Sequence, residues 1–346
     1  MTQMLDQARL SIPPATNAPP LVEARGLQKR FRLNRQRFFE PAPTVLAVDD
    51  VSFKVLQGTT FGLVGESGSG KTTVAKMLLK LEQPSAGTLL VDGKDVFQQD
   101  ASSERLYRST VQAVLQDPYG ALSPRLRVGR IIAEPLVAQG RMSWKEGEAK
   151  AAELMDLVGL RRDALHKYPH EFSGGQRQRI AIARALSVEP RLIVLDESVS
   201  ALDVSVRAQI LKLLEEVQRN LGVTYLFIGH DLAVVRYMST DVGVMYLGQL
   251  VEIGSAMQVF SQPLHPYTRQ LVAAGAADTP ISALGALGAA GDLPSPINPP
   301  HGCRFHTRCP FATPLCSEEA PVLREIRPGH QGRCHHIENI MGQHEA

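Results

Sequence analysis

The sequence carries almost no net charge, and its apolar residues never form a long run. Its 37 Lys and Arg stand against 35 Asp and Glu, which leaves a formal charge of +2. This balance gives no global electrostatic reason to expect a nucleic acid as partner, so we predict none. No uncharged apolar run approaches the ~18 to 20 residues that are needed to cross a bilayer. Any membrane role is therefore expected to act through partner subunits.

The N-terminal segment lacks the features of a secretory signal. The first twenty residues carry Asp6, Arg9 and several prolines but no apolar block. A secretory signal needs a basic region followed by an apolar one. We therefore expect residues 1–20 to be a disordered segment.

What the sequence does contain is a series of short apolar runs and helical patterns. Thr60–Val64 is a short apolar run that stops at Gly65, and residues 73–81 have apolar positions at helical spacing. Residues 192–195 and 225–228 are similar runs, each followed at once by polar residues. Such runs are typical of buried parallel strands whose carboxyl ends open on a site. The pattern predicts an α/β fold.

The 346 residues, 44% of them hydrophobic, are enough for one large domain or two ordinary ones. We predict a main domain over residues 21–275, in which charged helical segments at about 120–170 form a helical subdomain. After Pro266 the composition shifts to Ala, Gly and Pro. This shift predicts a separate C-terminal extension over residues 276–346, which contains every cysteine.

The turn after Thr60–Val64 has the sequence of a phosphate-binding loop, and it lies between an apolar strand and a helix, as such a loop must. Glycines let successive backbone N–H groups point inward, and the helix N-terminus adds its positive dipole end, so the turn binds anionic phosphate. Lys71 is expected to reach the β- and γ-phosphates of ATP, and the Thr72 hydroxyl to bind Mg²⁺. The predicted nucleotide-binding residues here are Gly65, Glu66, Ser67, Gly68, Ser69, Gly70, Lys71, Thr72 and Thr73.

Two adjacent carboxylates follow the apolar run 192–195. Asp196 is suited to hold Mg²⁺, and Glu197 to orient or deprotonate an attacking water. Phosphoryl transfer depends mainly on positioning and charge neutralisation, so two carboxylates with different roles at one strand end are reasonable. Without other motifs, an acidic pair after a strand is more often simply exposed to solvent than catalytic. The phosphate-binding loop is what favours a catalytic pair.

A second helix start lies at Ser173, Gly174, Gly175 and Gln176. Locally it is a capping box, with Ser173 as N-cap and Gln176 three residues later, and a capping box needs no function beyond starting a helix. The two glycines also leave the N–H groups of the first turn uncovered, so that a phosphate can approach the positive helix end closely. We therefore expect this tetrad to contact nucleotide.

Together, the loop at 65–72, the tetrad at 173–176 and the acidic strand end at Asp196 resemble the ATP-binding cassette, the ATPase subunit of ABC transporters. The resemblance implies an ABC-type P-loop ATPase core and an ATP site shared between two subunits, in which the tetrad of one subunit faces the γ-phosphate held by the other. The sequence has no internal repeat, so we expect one cassette in this chain.

The same resemblance assigns further residues. Gln116 matches a glutamine that touches the metal or the water, and Asp203 lies in the loop that crosses the dimer interface. His230 matches the histidine that contacts the γ-phosphate, although a lone His at a strand end is usually structural. Phe31 is the candidate for stacking on adenine, with Phe38 and Phe39 as alternatives. The set predicted for catalysis is thus Glu197, His230 and Gln116.

The C-terminal segments around His265, Leu293 and Cys303 resemble those of the oligopeptide and dipeptide importer ATPases, a group that also contains importers of nickel, glutathione and microcin. The resemblance implies a second, identical or homologous ATPase subunit, two transmembrane permeases and an extracytoplasmic substrate-binding protein as partners. It places the chain at the cytoplasmic face of the plasma membrane as a peripheral subunit. A soluble ABC mechanoenzyme acting on ribosomes or DNA, and a redox-sensing module, are the alternatives.

The four cysteines are Cys303, Cys309, Cys316 and Cys334. Disulfides are not expected in a chain without a secretion signal. Four thiolates could hold Zn²⁺ or an iron–sulfur cluster, and their spacing fits neither the usual zinc-ribbon nor the ferredoxin pattern. Resemblance to the peptide-importer group favours a structural 4Fe–4S cluster. Zinc stays an alternative because histidines near the cysteines could also bind it: His301, His306, His335 and His336. Four free thiols in a small core are the third alternative.

Overall fold

A computed structural model of the chain describes residues 19–33, 42–115, 118–199, 202–275 and 294–342. Several sequence-based predictions lie outside these ranges: the disordered segment up to residue 18, the role of Gln116, and the alternatives Phe38 and Phe39. The strands in the described residues are β1 (Val22–Arg32), β2 (Thr44–Val55), β3 (Thr60–Val64), β4 (Ala86–Val91), β5 (Lys94–Asp95), β6 (Val111–Val114), β7 (Leu192–Asp196), β8 (Thr224–Ile228), β9 (Asp241–Tyr246), β10 (Gln249–Ser255), β11 (Arg324–Arg327) and β12 (His330–Gly332).

Helices alternate with these strands and cover the region between β6 and β7. Up to residue 275, the described α-helices are α1 (Lys71–Leu78), α2 (Ala101–Thr110), α3 (Pro118–Ala121), α4 (Val128–Ala138), α5 (Trp144–Leu157), α6 (Gly174–Leu186), α7 (Val204–Leu221), α8 (Leu232–Met238), α9 (Ala256–Ser261) and α10 (Pro266–Gly275). Short helices follow at Pro314–Glu318 and Ile337–Gly342. Within the described ranges, none of the helices combines the length and the hydropathy that crossing a bilayer would require.

The main sheet is built on parallel strands. The described strands lie in the order β11-β12-β10-β9-β3-β8-β7-β6. Strands β9, β3, β8, β7 and β6 are parallel to one another, and β10, β12 and β11 add antiparallel pairs at the β9 edge. The carboxyl ends of β3, β7 and β8 therefore meet at one edge, where the phosphate-binding loop, the acidic pair and His230 follow them. The predicted α/β class is confirmed.

A second sheet and two apolar layers enclose the parallel strands. Antiparallel strands in the order β2-β1-β4-β5 pack with α1 against one face, where the rings of Phe53 and Phe61 stack at 4.9 Å between centroids. Residues of α4 to α7 cover the other face. Burying these apolar side chains stabilises the sheet by roughly 1.5–3 kcal/mol for each large residue.

The C-terminal extension adds a hairpin, formed by β11 and β12, to the edge of the main sheet. Strand β12 pairs with β10, and β11 pairs with β12. On β10 the buried Glu252 carboxylate accepts hydrogen bonds from the Leu264 and His265 N–H groups, at 2.9 and 2.8 Å, and lies 2.8 Å from His330 Nε2 of β12. These contacts fix the hairpin because a buried carboxylate left without partners would cost several kcal/mol. The boundary near residue 275 adjoins undescribed residues and stays a prediction.

Candidate functional site

The phosphate-binding loop follows β3 and ends where α1 begins at Lys71. In the loop, Lys71 Nζ donates to the Gly65 carbonyl at 2.7 Å, to the Glu66 carbonyl at 2.8 Å and to Ser69 Oγ at 3.2 Å. The side chain therefore holds the loop in a closed turn from inside. Lys71 is only 5% exposed, and burial lowers the pKa of its ammonium group, against the opposing effect of Glu197, Asp196 and Glu66.

The backbone of the loop needs glycine at its last position. Gly70, the residue before α1, has φ 106°, and a Cβ there would lie 2.3 Å from the Ala47 carbonyl oxygen of β2. Gly68 also has a positive φ, 79°, but a Cβ there would meet nothing within 4 Å. Ala47 thus limits the loop sterically at Gly70 and not at Gly68.

This contrast gives a stability prediction. We expect Gly70→Ala to lower the free energy of unfolding by about 2–4 kcal/mol, because left-handed strain and overpacking add. Gly68→Ala, the matched control, has the strain alone and should cost about 1–2 kcal/mol. Urea denaturation of the purified variants measures both. Equal losses at the two positions would contradict the close approach of β2 to Gly70.

The residues at the end of β7 fit a magnesium ion. Burial, reinforced by Glu197, raises the pKa of the Asp196 carboxyl, and the nearby side chain of Thr72 opposes the shift. The Asp196 Oδ1 atom is buried and has no hydrogen-bond partner among the described residues. A buried carboxylate oxygen beside a hydroxyl is the donor set that Mg²⁺ prefers. Thr72 and Asp196 would hold the ion, which when bound neutralises phosphate charge.

Glu197 and His230 lie together beside that position. Glu197 has φ 46°, and its N–H donates to the Ile228 carbonyl at 2.9 Å, which ties the turn after β7 to the end of β8. Its Oε1 atom lies 3.4 Å from His230 Nδ1. A carboxylate that follows a strand end and faces a half-exposed histidine can accept a proton from a water molecule, and the histidine can orient the carboxylate for this step.

The tetrad at α6 is the predicted capping box. Gln176 N–H donates to Ser173 Oγ at 3.4 Å, and Ser173 N–H donates to Gln176 Oε1 at 3.0 Å. Gly175 has a packing role that the sequence did not reveal, because a Cβ there would lie 2.3 Å from Val206 Cγ1 of α7. Asp203 is the N-cap of α7, and its side chain makes no capping bond among the described residues.

The site residues therefore form two groups. Lys71, Thr72, Asp196, Glu197 and His230 come together at the strand ends. The tetrad lies with the start of α7, and none of the hydrogen bonds or ion pairs described for residues 173–176 joins them to residues 65–73. The role of Phe31 stays a prediction: its ring lies on β1 with Lys29 Nζ 5.0 Å from the centroid.

Three residues of this region were missed by the sequence analysis. Arg308 forms an ion pair with Glu66 of the phosphate-binding loop, and the Tyr267 hydroxyl accepts the Glu66 N–H at 2.8 Å. Arg304 bonds to the Leu247 carbonyl in the turn between β9 and β10. Arg308 and Glu66 are 242 positions apart in sequence, and no local pattern links such distant residues.

The structure does not support the predicted metal site in the extension. All four cysteines are free thiols, and among the described residues, which include all four, no group of three His, Cys, Asp or Glu side chains could hold a metal ion. Burial raises the pKa of Cys309 to about 12 and that of Cys334 to about 11, and the neighbouring cysteines add to both shifts. Protonated thiols in a small core pack as apolar groups. The structure therefore does not support the predicted 4Fe–4S cluster, or zinc, at Cys303, Cys309, Cys316 and Cys334, and free thiols in a small core are the alternative that fits the described residues.

Comparison with known proteins places two regions of the chain in known families. Residues 48–200 match the ABC transporter family, and residues 251–316 match the oligopeptide/dipeptide transporter C-terminal region. The dipeptide transport ATP-binding protein DppF of Haemophilus influenzae is 45% identical over 319 residues, 92% of this chain and 97% of that one. The oligopeptide transport ATP-binding protein AppF of Bacillus subtilis is 44% identical over 326 residues, 93% of this chain and 98% of that one.

A solved structure is similar over the core of the fold. The dimeric ATP-binding cassette MJ0796, in a post-hydrolysis state bound to ADP and phosphate, is 26% identical with a TM-score of 0.59, covering 68% of this chain and 98% of that one. The family match, the relatives and this fold all indicate an ABC-type ATPase. The chain therefore belongs to the ABC transporter ATP-binding proteins of the oligopeptide/dipeptide group, and it is an ATPase.

Proposed function

We propose that this chain is the ATP-hydrolysing subunit of a bacterial ABC importer for dipeptides or oligopeptides. It would work at the cytoplasmic face of the plasma membrane with a second ATPase subunit, two transmembrane permeases and an extracytoplasmic substrate-binding protein. Binding of ATP would close the two ATPase subunits on each other, and reopening after hydrolysis would drive the permeases.

The proposal rests mainly on one observation: the predicted site residues lie in two separate groups. Lys71, Thr72, Asp196 and Glu197 face one nucleotide position, whereas the tetrad begins a helix with no described bond to the loop. A helix start whose first two residues are glycines, Gly174 and Gly175, leaves backbone N–H groups that no side chain shields, and such a helix start binds phosphate well. A partner subunit would supply that helix start to the nucleotide held here, and Ser173 to Gln176 of this chain would serve the partner's nucleotide.

The peptide assignment is supported by the extension. The similarity at residues 251–316 is to the transporter C-terminal region, and it adds to relatives named for dipeptide and oligopeptide transport. The substrate itself would be selected mainly by the permeases and the binding protein. The experiment must therefore distinguish peptide import from import of nickel, glutathione or another small solute. It must also distinguish transport from action on ribosomes or DNA.

The proposal is tested by purifying the chain from membranes in detergent and identifying what accompanies it. We expect two permeases and a second ATPase subunit, and we expect peptide together with binding protein to stimulate ATP hydrolysis by the reconstituted complex. Stimulation by nickel or glutathione but not by peptide would contradict the substrate class. Copurifying ribosomes or DNA, without permeases, would contradict transport altogether.

The cysteine segment can be tested on the same preparation if it is made without oxygen. Iron and labile-sulfide analysis distinguishes a cluster from the thiols, and denaturation followed by thiol titration counts the free groups. The structure leads us to expect four titratable thiols per chain. Stoichiometric iron with sulfide would restore the cluster that the sequence resemblance favours.

A further inference from the structure

Residues 303–309 of the extension, here called the arginine segment, pack against the phosphate-binding loop and the residues that support it. Phe305 anchors the segment: it is 1% exposed, and its ring centroid lies 5.2 Å from that of Tyr246 and 5.6 Å from that of Tyr267. An aromatic side chain buried in this way fixes the backbone on both sides of it. Arg304 and Arg308 are therefore held at defined positions against the nucleotide-binding core.

Arg308 pairs with Glu66 through two parallel contacts. Arg308 Nη1 lies 3.0 Å from Glu66 Oε2, and Nη2 lies 3.0 Å from Oε1. The Arg308 side chain is only 10% exposed and that of Glu66 is 25% exposed. The guanidinium also lies 5.8 Å from the Tyr246 ring centroid. Such a bidentate pair is directional as well as strong, because the planar fork fits the carboxylate in one orientation.

The backbone of Glu66 is held as well as its side chain. Its N–H donates to the Tyr267 hydroxyl at 2.8 Å, and its carbonyl accepts from Lys71 Nζ at 2.8 Å. Glu66 thus has a partner from the extension on its side chain, a partner from α10 on its N–H, and Lys71 on its carbonyl. The position of this one residue sets the path of the loop between β3 and α1.

Arg304 reaches the same loop by a second route. It donates to the Leu247 carbonyl and pairs with Asp49 of β2. The next residue, Gly248, donates its N–H to the Ser69 carbonyl at 2.9 Å. The arginine segment therefore contacts the phosphate-binding loop directly at Glu66, and indirectly at Ser69 through the turn between β9 and β10.

We propose that Arg308 is a positioning residue for nucleotide binding, through which the C-terminal extension completes the phosphate site. The inference rests on the loop at 65–72 being the ATP site. A Glu66 carboxylate without its partner would place negative charge beside the bound phosphates, where like charges repel strongly in a partly buried site. Arg308 cancels that charge and fixes the residue whose carbonyl binds Lys71.

The test is the affinity of the full-length chain for MgADP, which is not hydrolysed, measured by titration calorimetry. We expect Arg308→Met to raise the dissociation constant about 10-fold and Arg308→Lys about 3-fold, since lysine keeps the charge but not the fork. The double variant Glu66→Gln with Arg308→Met should return to within about 3-fold of the wild type, because the unpaired carboxylate is gone.

A matched control is available in the same extension. Arg324 also pairs with a carboxylate through two contacts, to Glu338 at 2.6 and 2.8 Å, but on the exposed surface. We expect Arg324→Met to change the dissociation constant less than about 2-fold, as exposed pairs contribute little. In the assembled complex, Arg308→Met should raise the KM for ATP and leave kcat nearly unchanged.

The outcomes separate this inference from the ATPase assignment. Failure of the wild-type chain to bind nucleotide would overturn the assignment itself. Normal affinity in folded Arg308→Met would overturn the positioning role alone, and so would a double variant as weak as Arg308→Met. If Arg308→Met does not fold, Arg308→Lys and the double variant decide by the same criteria.

Discussion

We expect the Glu197→Gln variant to bind ATP as tightly as the wild type and to hydrolyse it about 100- to 10,000-fold more slowly, the range that a general base contributes. The amide keeps the shape of the side chain but cannot take a proton from water. Thr72 and Asp196, which would hold the magnesium ion, are unchanged. The variant should therefore accumulate in the ATP-bound state with its two ATPase subunits closed.

Single-turnover hydrolysis and nucleotide retention in the purified complex measure this effect. Glu153→Gln is the matched control, because Glu153 lies on the exposed side of α5 in an ion pair with Lys150. We expect the control to hydrolyse ATP at the wild-type rate. Hydrolysis by Glu197→Gln at the wild-type rate would contradict the role of Glu197 as the base.

The second large effect concerns binding. We expect Lys71→Ala to lower the affinity for ATP about 100-fold, because a hydrogen bond to a charged group contributes roughly 1.5–3 kcal/mol. The change also removes the donor that Gly65 and Glu66 share inside the loop. Loss of the ammonium group therefore weakens both the contact with phosphate and the shape of the turn.

Equilibrium binding of MgATP to the full-length chain provides the measurement. Lys212→Ala is a suitable control, since Lys212 lies on the surface of α7 and its side chain is 75% exposed. Its affinity should match that of the wild type. Unchanged affinity in Lys71→Ala, with the fold intact by thermal denaturation, would contradict the assignment of the loop.

The sequence predicted the site best where the signal is local. Thr60–Val64 is a strand with the predicted bounds, and the capping box at Ser173 forms with both of its hydrogen bonds. The helix predicted for residues 73–81 begins at Lys71 and ends at Leu78. Lys80 there has φ 56°, so the helix cannot continue to Leu81. Glycines, caps and apolar runs act over a few residues, and sequence patterns reveal them.

Long-range contacts could not be predicted in the same way. The hairpin of β11 and β12 joins the main sheet at β10, although the composition of the extension indicated a separate unit. Pairing of strands this far apart depends on the tertiary structure and leaves no local pattern. The ion pair of Arg308 and Glu66 is hidden for the same reason. The predicted metal site of the cysteines also depended on distances that spacing does not fix.

The central claim is that the ATP site is completed by a second subunit, and the most direct measurement is ATP hydrolysis by the isolated chain as its concentration is varied. Light scattering on the same samples would give the fraction of dimer. We predict that hydrolysis per chain rises with the dimer fraction, or with added partner subunit, and is negligible in samples that are entirely monomeric. Hydrolysis by monomers at the rate of the assembled complex would contradict the claim.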